Sequence, residues 1–320
     1  MWKRFIFLLF LGIIIRILSI IYLKPLTDVY YVLTKGVLDL MSFKDPYEDN
    51  FKDFVPEDLI TKGSEFSYVY MPLETLFLLP FYLLFGDIRY GSSMVNIILA
   101  YFLYLSIKDV KGKIFSSFLY LILMPLIEVI YSNHTNITSL FLLLTFLFIK
   151  RENLSSLFYG LALATSQLAF LSLPFVLPFW IKIKRIKGII IIFLPLIASS
   201  LPFLLHNSTE FLKDIFFFQF TRESYHLVEV KKVMIVNMGL NGIFYHLTGI
   251  ELDIFIRLAL SFLALLISII KFKDIIKRVS LASLLIIFLL PKNTFLTYFL
   301  AYLPLLLLVI PYHKIFKGYL

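Results

Sequence analysis

The sequence predicts an all-α integral membrane protein, a polytopic bundle of about ten or eleven transmembrane helices. Three observations predict it. Of 320 residues, 60% are hydrophobic and only 16% charged, whereas soluble domains have about a quarter charged. Mean hydropathy is +0.90. Apolar runs of roughly 14 to 20 residues recur from end to end, and each is read as helix, because an unpaired strand edge in hydrocarbon leaves its amides unsatisfied. No stretch is left over for a soluble domain of ~100 residues, so residues 1–320 are read as one polytopic domain.

The first apolar run begins after Lys3 and Arg4 and continues to Tyr22 with no small-residue cleavage site, which predicts a retained helix rather than a removed signal peptide. Further segments fall near residues 70–86, 91–107, 114–131, 137–149, 154–181, 188–205, 252–270, 280–290 and 294–311. Two polar insertions, 24–69 and 206–236, are the only loops long enough to build a site. Within the first, Val29, Val32, Leu33, Val37, Leu40 and Met41 fall on one side of a stretch running to Phe43, with charge on the other. That pattern predicts a helix lying in the membrane interface.

The net charge of +9 does not imply nucleic acid. The basic residues cluster in short loops, Lys182, Lys184, Arg185 and Lys187, then Lys271, Lys273, Lys277 and Arg278, as positive-inside charge facing anionic lipid. Placing Lys3 and Arg4 inside puts the acidic loop 24–69 outside, and 206–236 with it. Simple alternation in between exports Lys108, Lys111, Lys113, Lys150 and Arg151, against the charge rule. The second topology breaks the 154–181 segment near Gln167 and lets one short segment between 70 and 107 fail to span. Those basic residues then return to the cytoplasm, and Asn133 to Asn136 and Gln167 join the outer face.

Zero cysteines exclude disulfides, thiolate metal sites and a cysteine nucleophile, and the five histidines contain no closely spaced ligand pair. No GxGxxG or P-loop supports a nucleotide-sugar donor. Asp28 follows the first helix where water meets lipid, and partial desolvation there makes a carboxylate a usable general base; the same position also suits an ordinary interfacial loop residue. Arg16, Glu128 and Arg257 are intramembrane charges, costly unless they face a partner or a cavity. Arg257 is expected to pair with Asp253 one turn away, and Arg16 with a carboxylate such as Glu74 or Glu128.

The first outer loop reads Asp28-Val29-Tyr30, then Gly36, then Asp45-Pro46-Tyr47, then Tyr68 and Pro72-Leu73 entering the second helix. This order resembles the first extracytoplasmic loop of the GT-C superfamily of membrane glycosyltransferases, and is most similar to the family 87 polyprenol-phosphate-mannose-dependent mannosyltransferases. Asn133-His134-Thr135-Asn136 and the segment Gly160 to Gln167 extend the resemblance, with Gln167 where the family has a lysine. The resemblance implies transfer of a hexose, mannose above all, from a polyprenyl-phosphate donor to a lipid-linked or cell-surface glycan on the extracytoplasmic face, with inversion. Asp28 would be the base. The leaving group is a phosphate of low pKa, so one carboxylate suffices, but the departing phosphate needs a cation. Arg222, His226, Lys231 and Lys232 in the second loop are the expected clamp, although exposed charge or lipid headgroup binding explains them too.

Tyr30, Asp45, Tyr47, Tyr68, Glu74, Asn133, His134, Asn136 and Gln167 are the expected acceptor or supporting residues, the Asn133 to Asn136 stretch being equally a polar turn between helices. No cofactor is required; a divalent ion would have to use Asp28 with Asp45 or Glu74. The rival class is a transporter or lipid-carrier flippase, and a third is a noncatalytic membrane subunit.

Overall fold

The computed structural model describes residues 2–48, 51, 53–56, 59, 68–125, 127, 135–182, 186–218, 227–230, 233–291 and 294–312, with the backbone alone for 179–182, 186 and the two strands. Among the described residues the regular structure is helical except for one antiparallel hairpin, β1 (Leu227–Val230) and β2 (Val233–Val236). Among the described residues three helices are long and apolar enough to cross a membrane, or four if a pair bent by 112° counts as one span.

The first long helix, α1 (Trp2–Tyr22), is followed after a short link by α2 (Asp28–Met41). A helix is therefore present where the Val29 to Phe43 stretch predicts one, and it begins at Asp28, with Thr27 extended as its N-cap. Next come α3 (Pro72–Phe85) and α4 (Arg89–Ser106), the bent pair. Pro72 opens α3, where its missing N–H costs nothing, and Gly86 closes it at φ 70°, a left-handed cap that suits glycine.

Helix α5 (Val110–Phe118) runs into a π-turn at Leu119–Leu123. It is followed by α6 (Asn136–Leu147) and α7 (Glu152–Thr165). Ser166 leaves the helix at φ −159°, ψ 140°, and its hydroxyl accepts from the Leu168 N–H to start a 3₁₀ turn, Gln167–Ser172, that leads into α8 (Leu173–Lys182). The break expected near Gln167 is thus present. Helix α9 (Ile186–Leu212) extends further than expected, into the second polar insertion, with a kink at Asn207 and a π-turn at Lys213–Phe217. The remaining helices are α10 (Leu240–Thr248), α11 (Ile254–Lys271), α12 (Ile275–Leu289), α13 (Leu296–Leu300) and α14 (Leu303–Val309).

Side-chain contacts order these helices end to end. Trp2 and Phe5 pack at a tilt against Tyr104 while Arg89 bonds the carbonyls of Ile20 and Leu23, so α1 and α4 are antiparallel. Asn136 reaches the Ser92 carbonyl, which sets the starts of α4 and α6 side by side. Ser155 bonds the Thr145 carbonyl and Thr138 bonds Thr165, which makes α6 and α7 antiparallel. A Cβ on Gly160 would lie 2.2 Å from the Ile192 carbonyl, so α7 and α9 run together only because that position has no side chain. Tyr312 closes on Gly112, returning the end of the described chain to the start of α5.

The two ends of the bundle differ in charge. Lys3, Arg4, Lys108, Lys111, Lys113, Lys150, Arg151 and Lys187 fall at one end, where Asp109 and Asp274 serve as helix N-caps. Asp28, Asp45, Glu48, Asp87 and Asp214 fall at the other. Both ends of α3 lie at this acidic end: Met71 precedes it beside Tyr68 and Tyr70, and Asp87 follows it beside the last turn of α1. At 14 residues α3 is about 21 Å long and lies across the bundle rather than along it.

Of the two expected charge pairs, one is realised differently and one falls partly outside the described residues. Arg257 donates to the carbonyls of Leu252 (3.1 Å) and Leu290 (2.7 Å), while Asp253 instead caps α11 by accepting from Phe255 and Ile256. An N-cap carboxylate is turned back toward its own helix start, so Asp253 acts on the Arg257 guanidinium through its charge and not by a direct bond. Arg16, 2% exposed, donates to the carbonyls of Tyr120 and Leu121, while Glu128, one of the two carboxylates expected beside it, lies outside the described residues. A π-turn displaces those carbonyls from the helical ladder, and a buried guanidinium satisfies them.

Candidate functional site

The described parts of the two polar insertions meet at the acidic end. Asn207, at the α9 kink, donates to Glu48 Oε1 at 2.9 Å, and His206 Nε2 lies 3.3 Å from Glu48 Oε2. Asp214 Oδ2 accepts from the Tyr68 N–H at 3.1 Å. Tyr47 packs edge-on against Phe203 and Phe211 of α9. Gln167, beyond the α7 break, donates to the carbonyls of Val69 (2.7 Å) and Ile215 (3.3 Å), one in each insertion. A neutral amide can serve two backbone acceptors in this way, and Gln167 spends its donors on joining the loops.

Tyrosines line this junction. Tyr47 O–H donates to the Tyr70 carbonyl at 2.7 Å, and the Tyr68 hydroxyl bonds that of Thr75. Tyr68 is fully buried beneath α2, where a Cβ on Gly36 would stand 2.4 Å from its ring. Glycine at 36 is therefore a packing requirement. Burial raises the pKa of Tyr47, Tyr68 and Tyr70, so all three keep their protons.

Asp28 is half-buried in the first turn of α2. It acts with Glu74 on Tyr70: after burial, the charges of those two groups are the main causes that hold the Tyr70 hydroxyl far above its usual range, with Tyr298 next. Glu74 is 1% exposed, and its Oε1 meets no hydrogen-bond partner among the described residues. It occupies the third helical position of α3, where a glutamate commonly folds back onto the N-cap amide; here it does not. A buried carboxylate left without a donor costs stability and calls for a functional explanation.

Asp45 accepts the Tyr47 N–H at 2.9 Å, and burial lifts its carboxyl above the usual range. Three residues on, exposed Glu48 is held below that range, chiefly by the Asn207 hydrogen bond. Tyr30 lies 5.3 Å from the Arg89 guanidinium, face-on. Asn136 joins the acidic end through Ser92.

The structure thus brings Asp28, Glu74, Tyr47, Tyr68, Asp45 and Gln167 around one junction, with Tyr30 on its α1 side. Arg222, His226, Lys231, Lys232, Asn133, His134 and Glu128 lie outside the described residues. Sequence reasoning missed Asp87 and Arg89, Asp214 and Tyr70. The first two sit between apolar segments, where a short polar turn looks like a plain connection; an arginine opening a helix, against the helix dipole, was the available signal. Among the described residues no group of three or more His, Cys, Asp or Glu is placed to hold a metal.

Comparison with protein-family models, with curated proteins and with solved structures returns no match.

Proposed function

We propose that this protein is a polytopic membrane glycosyltransferase of GT-C-like architecture that moves a hexose, mannose by resemblance, from a polyprenyl-phosphate donor to a lipid-linked or cell-surface glycan. The observation that carries the reading is the placement of Asp28. It opens a short helix directly beyond an apolar span, at the end of the bundle where both polar insertions meet. In this reading the basic end is cytoplasmic and the acidic end extracytoplasmic, and α2 and α3 lie in the outer interface. Lys108, Lys111, Lys113, Lys150 and Arg151 then fall inside, as the second sequence topology has them.

The chemistry follows from one base. Asp28 takes the proton of an acceptor hydroxyl, the hydroxyl oxygen attacks the anomeric carbon, and the sugar–phosphate C–O bond breaks with inversion. Polyprenyl phosphate leaves with the bonding pair, needing no acid because a phosphate is already a good leaving group. Buried Tyr47, Tyr68 and Tyr70 give the site a fixed wall, and Glu74 supplies an acceptor for a sugar hydroxyl. Arg222, His226, Lys231 and Lys232 are assigned to the departing phosphate. No cofactor enters the step.

The test is transfer of labelled mannose from polyprenyl-phosphate-mannose to membrane acceptors, wild type against Asp28→Asn. Loss of a general base lowers transfer by about 10²- to 10⁴-fold. Equal transfer by both proteins removes Asp28 from the mechanism. A second reading, a lipid-carrier transporter, is favoured by one observation: the break at Ser166 between α7 and the 3₁₀ turn, since transporters build sites on interrupted helices. Translocation of labelled carrier by protein that transfers no sugar establishes that reading instead.

A further inference from the structure

Arg89 ties together three elements that nothing in their sequences links. Its Nη1 donates to the Leu23 carbonyl (2.7 Å) and its Nη2 to the Ile20 carbonyl (2.8 Å), both in or just past the last turn of α1. Nε and Nη2 grip Asp87 at 2.7 to 3.1 Å, and the guanidinium face covers the Tyr30 ring of α2 at 5.3 Å. Asp87 also accepts the Arg89 N–H at 2.8 Å. Both side chains are nearly buried, 12% and 14% exposed.

The electrostatics explain why the cation sits there. At the start of α4 a positive charge opposes the helix dipole, which Asp87 offsets; at the end of α1 the same charge meets carbonyls that lack helical partners. The guanidinium thus holds the chain at Leu23 and again at Tyr30. Asp28 lies between those two points, on the only link between α1 and α2.

We propose that Arg89, locked by Asp87, is the positioning residue for Asp28: it fixes the joint from Leu23 to Tyr30 and thereby the place of the carboxylate. This rests on the transferase reading for its kinetic consequence, but the clamp itself does not. Lysine cannot replace arginine, because an ammonium's three donors cannot keep a two-nitrogen grip on Asp87 together with both carbonyls, and it has no flat face to lay over the ring.

The experiment compares full-length wild type, Arg89→Lys and Asp87→Asn in the same lipid nanodiscs, by two readouts. Hydrogen exchange over residues 23–31 is expected to quicken about tenfold or more in both variants, with exchange over the end of α2 unchanged. Mannosyl transfer is expected to lose about ten- to a hundredfold in kcat with donor KM held within about a factor of two, the signature of a displaced base rather than a lost binding contact. Unchanged exchange at 23–31 overturns the clamp. Quickened exchange with kcat intact overturns the positioning role. Quickened exchange in a chain whose wild type transfers nothing sinks the transferase reading and supports the clamp.

Discussion

At the scale of single residues, Glu74 is where stability and function pull apart. Its carboxylate is buried at 1% exposure with Oε1 unpartnered among the described residues. Replacing such a group by an apolar side chain of similar size removes a desolvation cost, so Glu74→Met is expected to stabilise the protein by about 1–3 kcal/mol. The same change is expected to weaken acceptor use, read as a raised acceptor KM. A variant that melts earlier than wild type shows that Glu74 is held by a structural partner instead. Asp45 and Glu48 make a second contrast, three residues apart. The folded pKa of Asp45 is raised by burial, so the folded state binds the proton more tightly and stability falls as pH rises from the ordinary carboxylate pKa through the raised one. Glu48, lowered by Asn207, contributes stability above the ordinary value that is lost as pH falls through the depressed one. Asp45→Asn keeps an oxygen for the Tyr47 N–H and should abolish the first slope. Thermal melts of that variant and of Glu48→Gln between pH 3 and 7, about the carboxylate range, separate the two.

At the scale of elements, close approach decides the site's geometry. Helix α2 rests on Tyr68 because Gly36 has no side chain, and Tyr68 in turn meets Thr75 and Asp214. Gly36→Val is expected to cost about 1–3 kcal/mol as the ring is forced aside, seen as a lowered melting midpoint, whereas Gly86→Asn should be far milder because nothing stands near that cap. The start of α2 at Asp28 was legible because amphipathic spacing begins there, and the break before Gln167 because polar Ser166 and Gln167 interrupt an apolar run. The π-turns at Leu119–Leu123 and Lys213–Phe217 were not, since their residues are ordinary helix formers. That one segment between 70 and 107 fails to span was legible in the charge rule, as the second topology has it; that the segment is α3 was not, since its composition matches a span and only its length and Pro80 hint otherwise. Arg89 finding α1, 66 positions back, is a tertiary event with no periodic trace.

At the scale of the whole molecule, the crosswise α3 sets which loops share a side. If α3 and α4 were separate crossings, every later segment would reverse, and Lys150 would share the side of Phe43. The contacts place them apart: Lys150 follows α6, whose start meets Ser92 at the acidic end, while Phe43 follows α2 at that same acidic end. Both positions are exposed, Phe43 completely. The chain contains no cysteine, so single introduced thiols report without background. Phe43→Cys is expected to react with a membrane-impermeant maleimide in intact cells, and Lys150→Cys only after the membrane is permeabilised. Labelling of both from outside would mean that α3 spans and that the basic residues are exported after all. That result would also move Asn136 and Gln167 away from Asp28, leaving the carboxylate without the junction on which the transferase reading depends. The expected pattern, Phe43→Cys alone labelled from outside, keeps the polar insertions, the α7 break and Asp28 on one face, which is the arrangement the proposed transfer from a lipid-borne donor to an external acceptor requires.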